Sequence, residues 1–455
     1  MSRLVRTGLI LAALRLLGGL VAFLATPIIA ARFGLDPALD AFYVASSIPF
    51  VLSSVALVGG LETAVPPLFR RFLTTDASRA NLADDETESW GFVNSLWSLA
   101  LIGVAVVAVL SFILMPALLP RLAPGLDLRR QAVAVSMART LLIGPTIAAP
   151  VGVWRGTLTA KNLLVGPAAI LFAGSVAYFL VVAVAPSTLG AWTLVAATLS
   201  ASLVALVALP LSFPKALTAN LKFTLDFRHP GLPAALALLV PFAISDLIYH
   251  SDFVIMRGFA SGVSLGAVAA YEFAMRPIAA ASTLLLAGVV TPAFPELART
   301  ANNLPAFRAA LDRTLKLMLV VALPLTIAFL FLREPIVAVL YQRGNFTAED
   351  ARQVSATLAT LAPYFFLTAL SQPLAYATYA RQQPWWTVTA SVIGLAFSAG
   401  GAYLLTPTLG LIGIAIGDGL GAVPMVGLLL LWRWRLNREG AKNAKKSLEE
   451  VSRRS

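Results

Sequence analysis

Nine ionisable side chains, Arg15, Glu62, Arg139, Asp246, His250, Asp252, Glu272, Arg276 and Asp418, fall inside or at the edge of long apolar stretches. A charge at bilayer depth costs about 2.5 to 3.5 kcal/mol even on the lenient insertion scale, so such residues are functional candidates by default. Arg15, Arg139 and Arg276 supply a cationic set suited to an anionic head group, because guanidinium groups bind phosphate oxygens in bidentate fashion. With Glu272, four residues before Arg276, they are candidates for lining a polar substrate cavity. The other reading is mutual ion pairing that only ties helices together.

Asp246 and His250 stand four residues apart and share one helical face, while Asp252 points elsewhere on the same stretch. A histidine among carboxylates can relay protons or help hold a cation, which makes these three the ion-coupling candidates. A locally satisfied polar cluster at the membrane interface is the alternative. Gly413, Gly417 and Gly421 recur every fourth residue, a spacing that lets helices approach closely. Pro49, Pro145, Pro241 and Pro363 lie within apolar stretches, where each frees a main-chain carbonyl and permits a bend.

The elements that must position these residues are membrane helices. The chain is 58% apolar and 12% charged, with a mean hydropathy of +0.83, outside the range of soluble domains. Since a crossing needs about 20 apolar residues, the sequence predicts an all-α integral membrane protein of about twelve spans. The first six run near Leu9 to Ala31, Ala41 to Leu68, Gly91 to Leu119, Arg130 to Thr159, Leu163 to Ala185 and Ala191 to Phe213. The second six run near Gly231 to Phe259, Leu265 to Phe294, Ala309 to Phe331, Ala351 to Ala380, Trp385 to Leu405 and Leu409 to Trp432. The first stretch carries Arg15 and lacks a small-residue cleavage site, so it reads as a retained span.

With both termini in the cytoplasm, about 23 basic residues fall inside and about 8 outside, as the positive-inside rule requires. Arg70, Arg71 and Arg79 mark one inner loop, and Lys215, Lys222 and Arg228 mark another. The formal charge of +12 is therefore topological and gives no reason to expect nucleic acid. The basic tail faces anionic membrane lipids. Trp385 and Trp386 read as interface anchors.

The chain also reads twice. Pro49, Pro67 and Arg71 recur with the same spacing as Pro277, Pro295 and Arg299, and Pro116 and Gly125 recur as Pro335 and Gly344. Paired bundles related by an axis along the membrane normal build a cavity that can open to either side, so duplication points to transport. The predicted domains are an N-terminal six-helix lobe over 1–220, a C-terminal six-helix lobe over 221–435 and a basic cytoplasmic tail over 436–455.

Enzymatic chemistry finds no support. There is no cysteine, no nucleotide-binding glycine loop, no metal-spaced histidine cluster and no serine elbow. No catalytic residue, metal ligand or cofactor is assigned, and transport must draw on a sodium or proton gradient, the membrane potential or the substrate gradient.

Four ordered segments resemble the MurJ (MviN) family of lipid-linked peptidoglycan precursor flippases, within the multidrug/oligosaccharidyl-lipid/polysaccharide (MOP) exporter superfamily. They are ARFGLDPALDAFYVASSIPFVL from Ala31 to Leu52, LAPGLD from Leu122 to Asp127, GTLTAKNLLVGP from Gly156 to Pro167, and REPIVAVLYQRGNFTAED from Arg333 to Asp350. The resemblance spans nearly the whole chain and implies two lobes around a central cavity, as in the MATE-like fold. It carries over Asp40 as the aspartate ahead of the second helix, Arg276 in YEFAMRP as the basic position of the eighth, and Arg15 in RLLG as the arginine of the first. Asp252 resembles the family's sodium-site aspartate, and its partner positions on the eleventh helix fall near Ser398 and Ala402. The chain departs from the family where IPFVLSS places Ser53 and Ser54 at positions usually held by cavity arginines; Arg139 and Arg155 are the candidates to replace them.

The resemblance implies a multi-pass protein of the bacterial cytoplasmic membrane, a monomer by default, that flips an undecaprenyl-pyrophosphate-linked saccharide, above all lipid II, from inner to outer leaflet by alternating access. Export of another lipid-linked oligosaccharide, such as an exopolysaccharide or O-antigen unit, is a related reading. A cation-coupled multidrug exporter is the reading from a different class.

Overall fold

Every regular element among the described residues is a helix, as expected where lipid cannot hydrogen-bond to a main chain and each segment must satisfy its own N–H and C=O groups. The structure is a computed structural model that describes residues 3–55, 65, 82–161, 163–212, 220, 222–224, 226 and 228–454. Glu62, Pro67, Arg70, Arg71, Arg79, Lys215 and the second half of the second span lie outside these residues.

The first seven helices are α1 (Arg3–Phe33), α2 (Pro37–Val55), α3 (Leu82–Leu122), α4 (Leu128–Leu141), α5 (Ile143–Ala160), α6 (Val165–Val184) and α7 (Trp192–Ser212). They are followed by α8 (Gly231–Ser261), α9 (Ala267–Leu285), α10 (Thr291–Thr300), α11 (Leu304–Phe331), α12 (Arg333–Tyr341), α13 (Ala348–Ala380), α14 (Trp385–Leu409) and α15 (Leu411–Arg454). Nine stretches of described residues are long and apolar enough to cross a membrane. Pro37–Ser53 and Trp192–Ala208 are shorter apolar helices, and α8 is a further helix of 31 residues. Together they occupy the twelve expected spans in order.

Three elements differ from the sequence reading. The fourth span breaks at Leu142 into α4 and α5. The eighth passes from α9 through one π-turn, Leu286–Val290, into α10. The twelfth does not stop near Trp432 but continues as one helix to Arg454, so the basic tail is helical.

The chain divides by packing into two compact units. One is Met1–Ala269 with Arg343–Phe346, and the other is Ala270–Gln342 with Thr347–Ser455. In the first unit α1 lies on α6, α6 on α7, α3 on α5, and α2 against both α4 and α8. Trp90, Phe92, Val93 and Leu96 of α3 form a core with Val153 and Ala160 of α5 and Leu232, Ala235 and Leu239 of α8. Asn94 fastens the connection between α7 and α8 to α3. Its Nδ2 donates to the carbonyl of Asn220 at 2.9 Å and its Oδ1 accepts from the N–H of Lys222 at 3.0 Å. Ser98 continues the tie by accepting the N–H of Thr224 at 3.0 Å.

The RGNF stretch of the strongest family-like segment belongs to this unit. The Asn345 N–H donates to the carbonyl of Ala31 at 2.8 Å and its Nδ2 to that of Arg32 at 2.7 Å, so the stretch clasps the end of α1. Gly344 makes this possible, because its φ of +58° suits glycine and a Cβ there would collide with the Ala31 carbonyl.

In the second unit α14 and α15 form the most intimate pair, with α13 against α15 and α11 against α13. Its core joins Leu297, Phe307, Leu311 and Leu315 to Leu374 and Ala377 of α13, Ala390 of α14, and Leu429, Trp432 and Leu436 of α15. The glycine spacing serves the α14–α15 seam. A Cβ on Gly417 would stand 2.6 Å from the Ala402 nitrogen, and one on Gly421 would stand 2.5 Å from the Gly394 oxygen. Helix α13 starts at a capping box, with the Thr347 hydroxyl accepting the N–H of Asp350 and the Asp350 carboxylate accepting that of Thr347.

Candidate polar sites of the two units

Each unit buries its own set of polar side chains. In the first, Asp40 lies in the opening turn of α2 and is only 2% exposed. Its Oδ2 accepts the N–H of Gly266 at 2.6 Å and its Oδ1 that of Ala269 at 2.8 Å. Gly266 directly precedes α9 and Ala269 lies in its first turn, where N–H groups have no partner within their own helix. Asp40 therefore caps α9 from a distance in sequence, and its negative charge complements the positive helix end.

One turn further along α2 stands a cluster that the sequence reading did not single out. Arg257 of α8 donates through Nη1 to the carbonyl of Tyr43 at 3.1 Å, to Ser47 Oγ at 3.1 Å and to Ser46 Oγ at 3.4 Å. Its guanidinium carbon also lies 6.0 Å from the Tyr43 ring centroid. Arg257 sits close to the end of an apolar span, where an arginine reads as an interfacial flank. Only the contact with α2 reveals its role. Ser53, at a family arginine position, turns back onto its own helix and donates to the carbonyl of Pro49 at 2.9 Å.

His250 of α8 packs edge-on against Phe50 of α2, with ring centroids 4.5 Å apart. Asp252 is half-buried on the same helix. The side chain of Asp246 lies outside the described residues. Arg15 is exposed on α1.

Arg139, near the end of α4, donates its Nε–H to the carbonyl of Phe112 at 3.0 Å, and its guanidinium stacks 4.4 Å from the Phe112 ring centroid. Pro116 stands four residues after Phe112 within α3 and has no N–H to give to that carbonyl. Arg139 takes the place of the missing donor.

The second unit holds Tyr271, Glu272 and Arg276 on α9, Ser398 on α14 and Asp418 on α15. Asp418 is 1% exposed, with Oδ2 accepting the Tyr271 hydroxyl at 2.7 Å and Oδ1 accepting the Ser398 hydroxyl at 3.2 Å. A buried carboxyl group demands such donors. Glu272 and Arg276 stand one helical turn apart; Glu272 is buried and Arg276 half-buried. In the sequence Asp418 directly follows Gly417 of the glycine stripe. The structure makes the two features one, because Gly417 and Gly421 bring α15 close enough for Ser398 to reach Asp418.

Of the expected cavity residues, Glu272 and Arg276 thus share one helix of the second unit, whereas Arg15, Asp40 and Arg139 occupy separate places in the first.

Comparison with known proteins joins this fold to a family. The model of the family described as lipid II flippase MurJ matches residues 29–452. The lipid II flippase MurJ of Burkholderia cenocepacia is 26% identical over 405 residues, which cover 87% of this chain and 77% of that protein. A solved structure of lipid II flippase MurJ in an inward closed conformation aligns with a TM-score of 0.76 at 17% identity, over 93% of this chain and 87% of that one. An inward-facing multidrug resistance MATE family transporter of the MOP superfamily aligns with a TM-score of 0.74 at 18% identity, over 92% and 95%. The two structures establish the expected MOP fold, and the family match spans nearly every described helix. The chain belongs to the lipid II flippase MurJ family.

Proposed function

We propose that this protein is a flippase that carries lipid II, the undecaprenyl-pyrophosphate-linked peptidoglycan precursor, from the inner to the outer leaflet of the bacterial cytoplasmic membrane. The observation that carries this reading is the family match over residues 29–452, which takes in both packing units. It is a transporter and performs no covalent chemistry. Alternating access moves the cargo: Arg15, Arg139 and Arg276 attract the pyrophosphate, and the polyprenyl tail stays in lipid. Asp40 acts as a positioning residue, since both of its oxygens are taken by main-chain N–H groups.

The protein works as a monomer with both termini in the cytoplasm, the orientation favoured by its basic loops. A sodium or proton gradient drives the cycle, with Asp246, His250 and Asp252 of α8 as the coupling groups.

The test is complementation of a strain in which the resident lipid II flippase can be depleted. The wild-type chain restores growth, and Arg276→Ala and Arg15→Ala, inserted at wild-type levels, do not. A well-expressed wild type that leaves depleted cells without lipid II in the outer leaflet would overturn the reading.

A further inference from the structure

We infer that the end of the second unit where α14 begins and α15 leaves the apolar core is a binding site for anionic phospholipid, recognised through its headgroup phosphodiester. The site consists of Trp385, Trp386, Trp434, Arg435 and Arg438.

The framework beneath it is fixed by contacts that use up the neighbouring polar groups. Trp432 is buried and donates its Nε1–H to Gln383 Oε1 at 2.7 Å, locking α15 to the turn before α14. Arg433 pairs with Asp312 at 2.7 Å, and Arg308 donates to the carbonyl of Leu436. Trp434 is left 52% exposed and Trp385 64% exposed, both far beyond what a buried indole shows.

Arg435 and Arg438 differ from Arg433. Among the described residues neither makes a hydrogen bond or an ion pair. Each instead lies on an indole face, with the Arg435 guanidinium carbon 5.2 Å from the Trp386 centroid and that of Arg438 4.5 Å from Trp434. A cation–π contact orients a guanidinium while leaving its N–H edge open, and that edge matches two oxygens of a phosphodiester.

Location and charge select a lipid as the ligand. Indole rings with one apolar body and one polar edge gather at headgroup level, and the basic loops place this end of α15 on the cytoplasmic side. From Arg433 to Ser455 the chain carries eight basic and three acidic residues, and no acidic residue lies between Trp385 and Ile416. A basic cluster directly beyond a membrane helix is complementary to an anionic leaflet.

The test is native mass spectrometry of the full chain after equilibration in mixed phosphatidylglycerol and phosphatidylcholine. Wild type retains phosphatidylglycerol in preference to phosphatidylcholine. The preference falls about fivefold for each charge removed in R435Q and R438Q, and R435K/R438K keeps part of it. Equal retention of both lipids by wild type, or an unchanged preference in the R435Q/R438Q variant, overturns the site. So does displacement of the lipid by millimolar glycerol phosphate or by polyglutamate, which would make the ligand a free phosphate or an acidic polypeptide. The readout is bound lipid, so failure of the flippase reading leaves it unaffected.

Discussion

The Nε–H of Arg139 meets the main-chain oxygen of Phe112 at 3.0 Å, at the one carbonyl of α3 that Pro116 leaves without its helical donor. The same relationship recurs in the second unit. Pro277 frees the carbonyl of Phe273, and the Tyr341 hydroxyl donates to it at 3.2 Å. A proline inside a membrane helix is tolerated when a neighbouring side chain re-satisfies the freed group. Here one proline is answered by an arginine and the other by a tyrosine.

If Arg139 answers Pro116, the two positions are energetically coupled. Arg139→Leu is expected to destabilise the protein by about 1–3 kcal/mol, the cost of a main-chain acceptor left without a donor where lipid supplies none. Pro116→Ala restores the N–H, so Arg139→Leu costs less in that background. A double-mutant cycle read by thermal unfolding in detergent measures the difference. Additive effects would mean that Arg139 is held for its charge alone.

Asp40 makes a sharper prediction, because two N–H groups depend on it. Asp40→Ala leaves both without an acceptor and is expected to cost about 2–4 kcal/mol, while Asp40→Asn keeps one oxygen and recovers part of that loss. Hydrogen exchange at Gly266 and Ala269 should quicken in Asp40→Ala before exchange in the middle of α9 does. Unchanged protection at these two amides would refute the capping role.

The architecture was legible in the sequence because membrane helices announce themselves by length and apolar composition. The twelve spans and the glycine seam of α15 both rest on local constraints that one stretch of chain carries by itself. The partners of the charges were not legible. Arg139 and Asp40 read as cavity residues, and a charge in an apolar segment gives no sign of the distant carbonyl or N–H that it also meets. Arg257 was passed over because an arginine near a span end resembles a flank, and its acceptors on α2 lie more than two hundred residues away. Pro116 was visible, but the residue that would compensate it was not.

Tyr271 and Ser398 both serve Asp418, and removing them should have unequal effects. Tyr271→Phe deletes the shorter hydrogen bond, at 2.7 Å, and leaves Oδ2 of a buried carboxyl group without its donor. The expected loss is about 1–3 kcal/mol. Ser398→Ala deletes the 3.2 Å contact at a smaller cost. Asp418→Asn should be milder than Asp418→Ala, since the amide can still accept the Tyr271 hydroxyl. Denaturation of the four variants in one detergent gives the order, and a larger effect of Ser398→Ala than of Tyr271→Phe would reverse the assignment.

Two glycines of α15 separate packing from propensity. Gly417 faces the main chain of α14, where a Cβ would stand 2.6 Å from the Ala402 nitrogen and 2.9 Å from the Ser398 oxygen. Neither atom can rotate away, so Gly417→Val has to spread the two helices, and a loss at or above the ~1–3 kcal/mol typical of overpacking is expected. The Ser398 hydroxyl moves with α14, so the same change should weaken its bond to Asp418. Gly419, two residues on, has nothing within 4 Å of its Cβ position. Gly419→Ala should therefore gain up to about 1 kcal/mol from helix propensity alone. If thermal unfolding finds the two substitutions equally harmful, α15 is sensitive to any added side chain, and the seam with α14 is not what Gly417 protects.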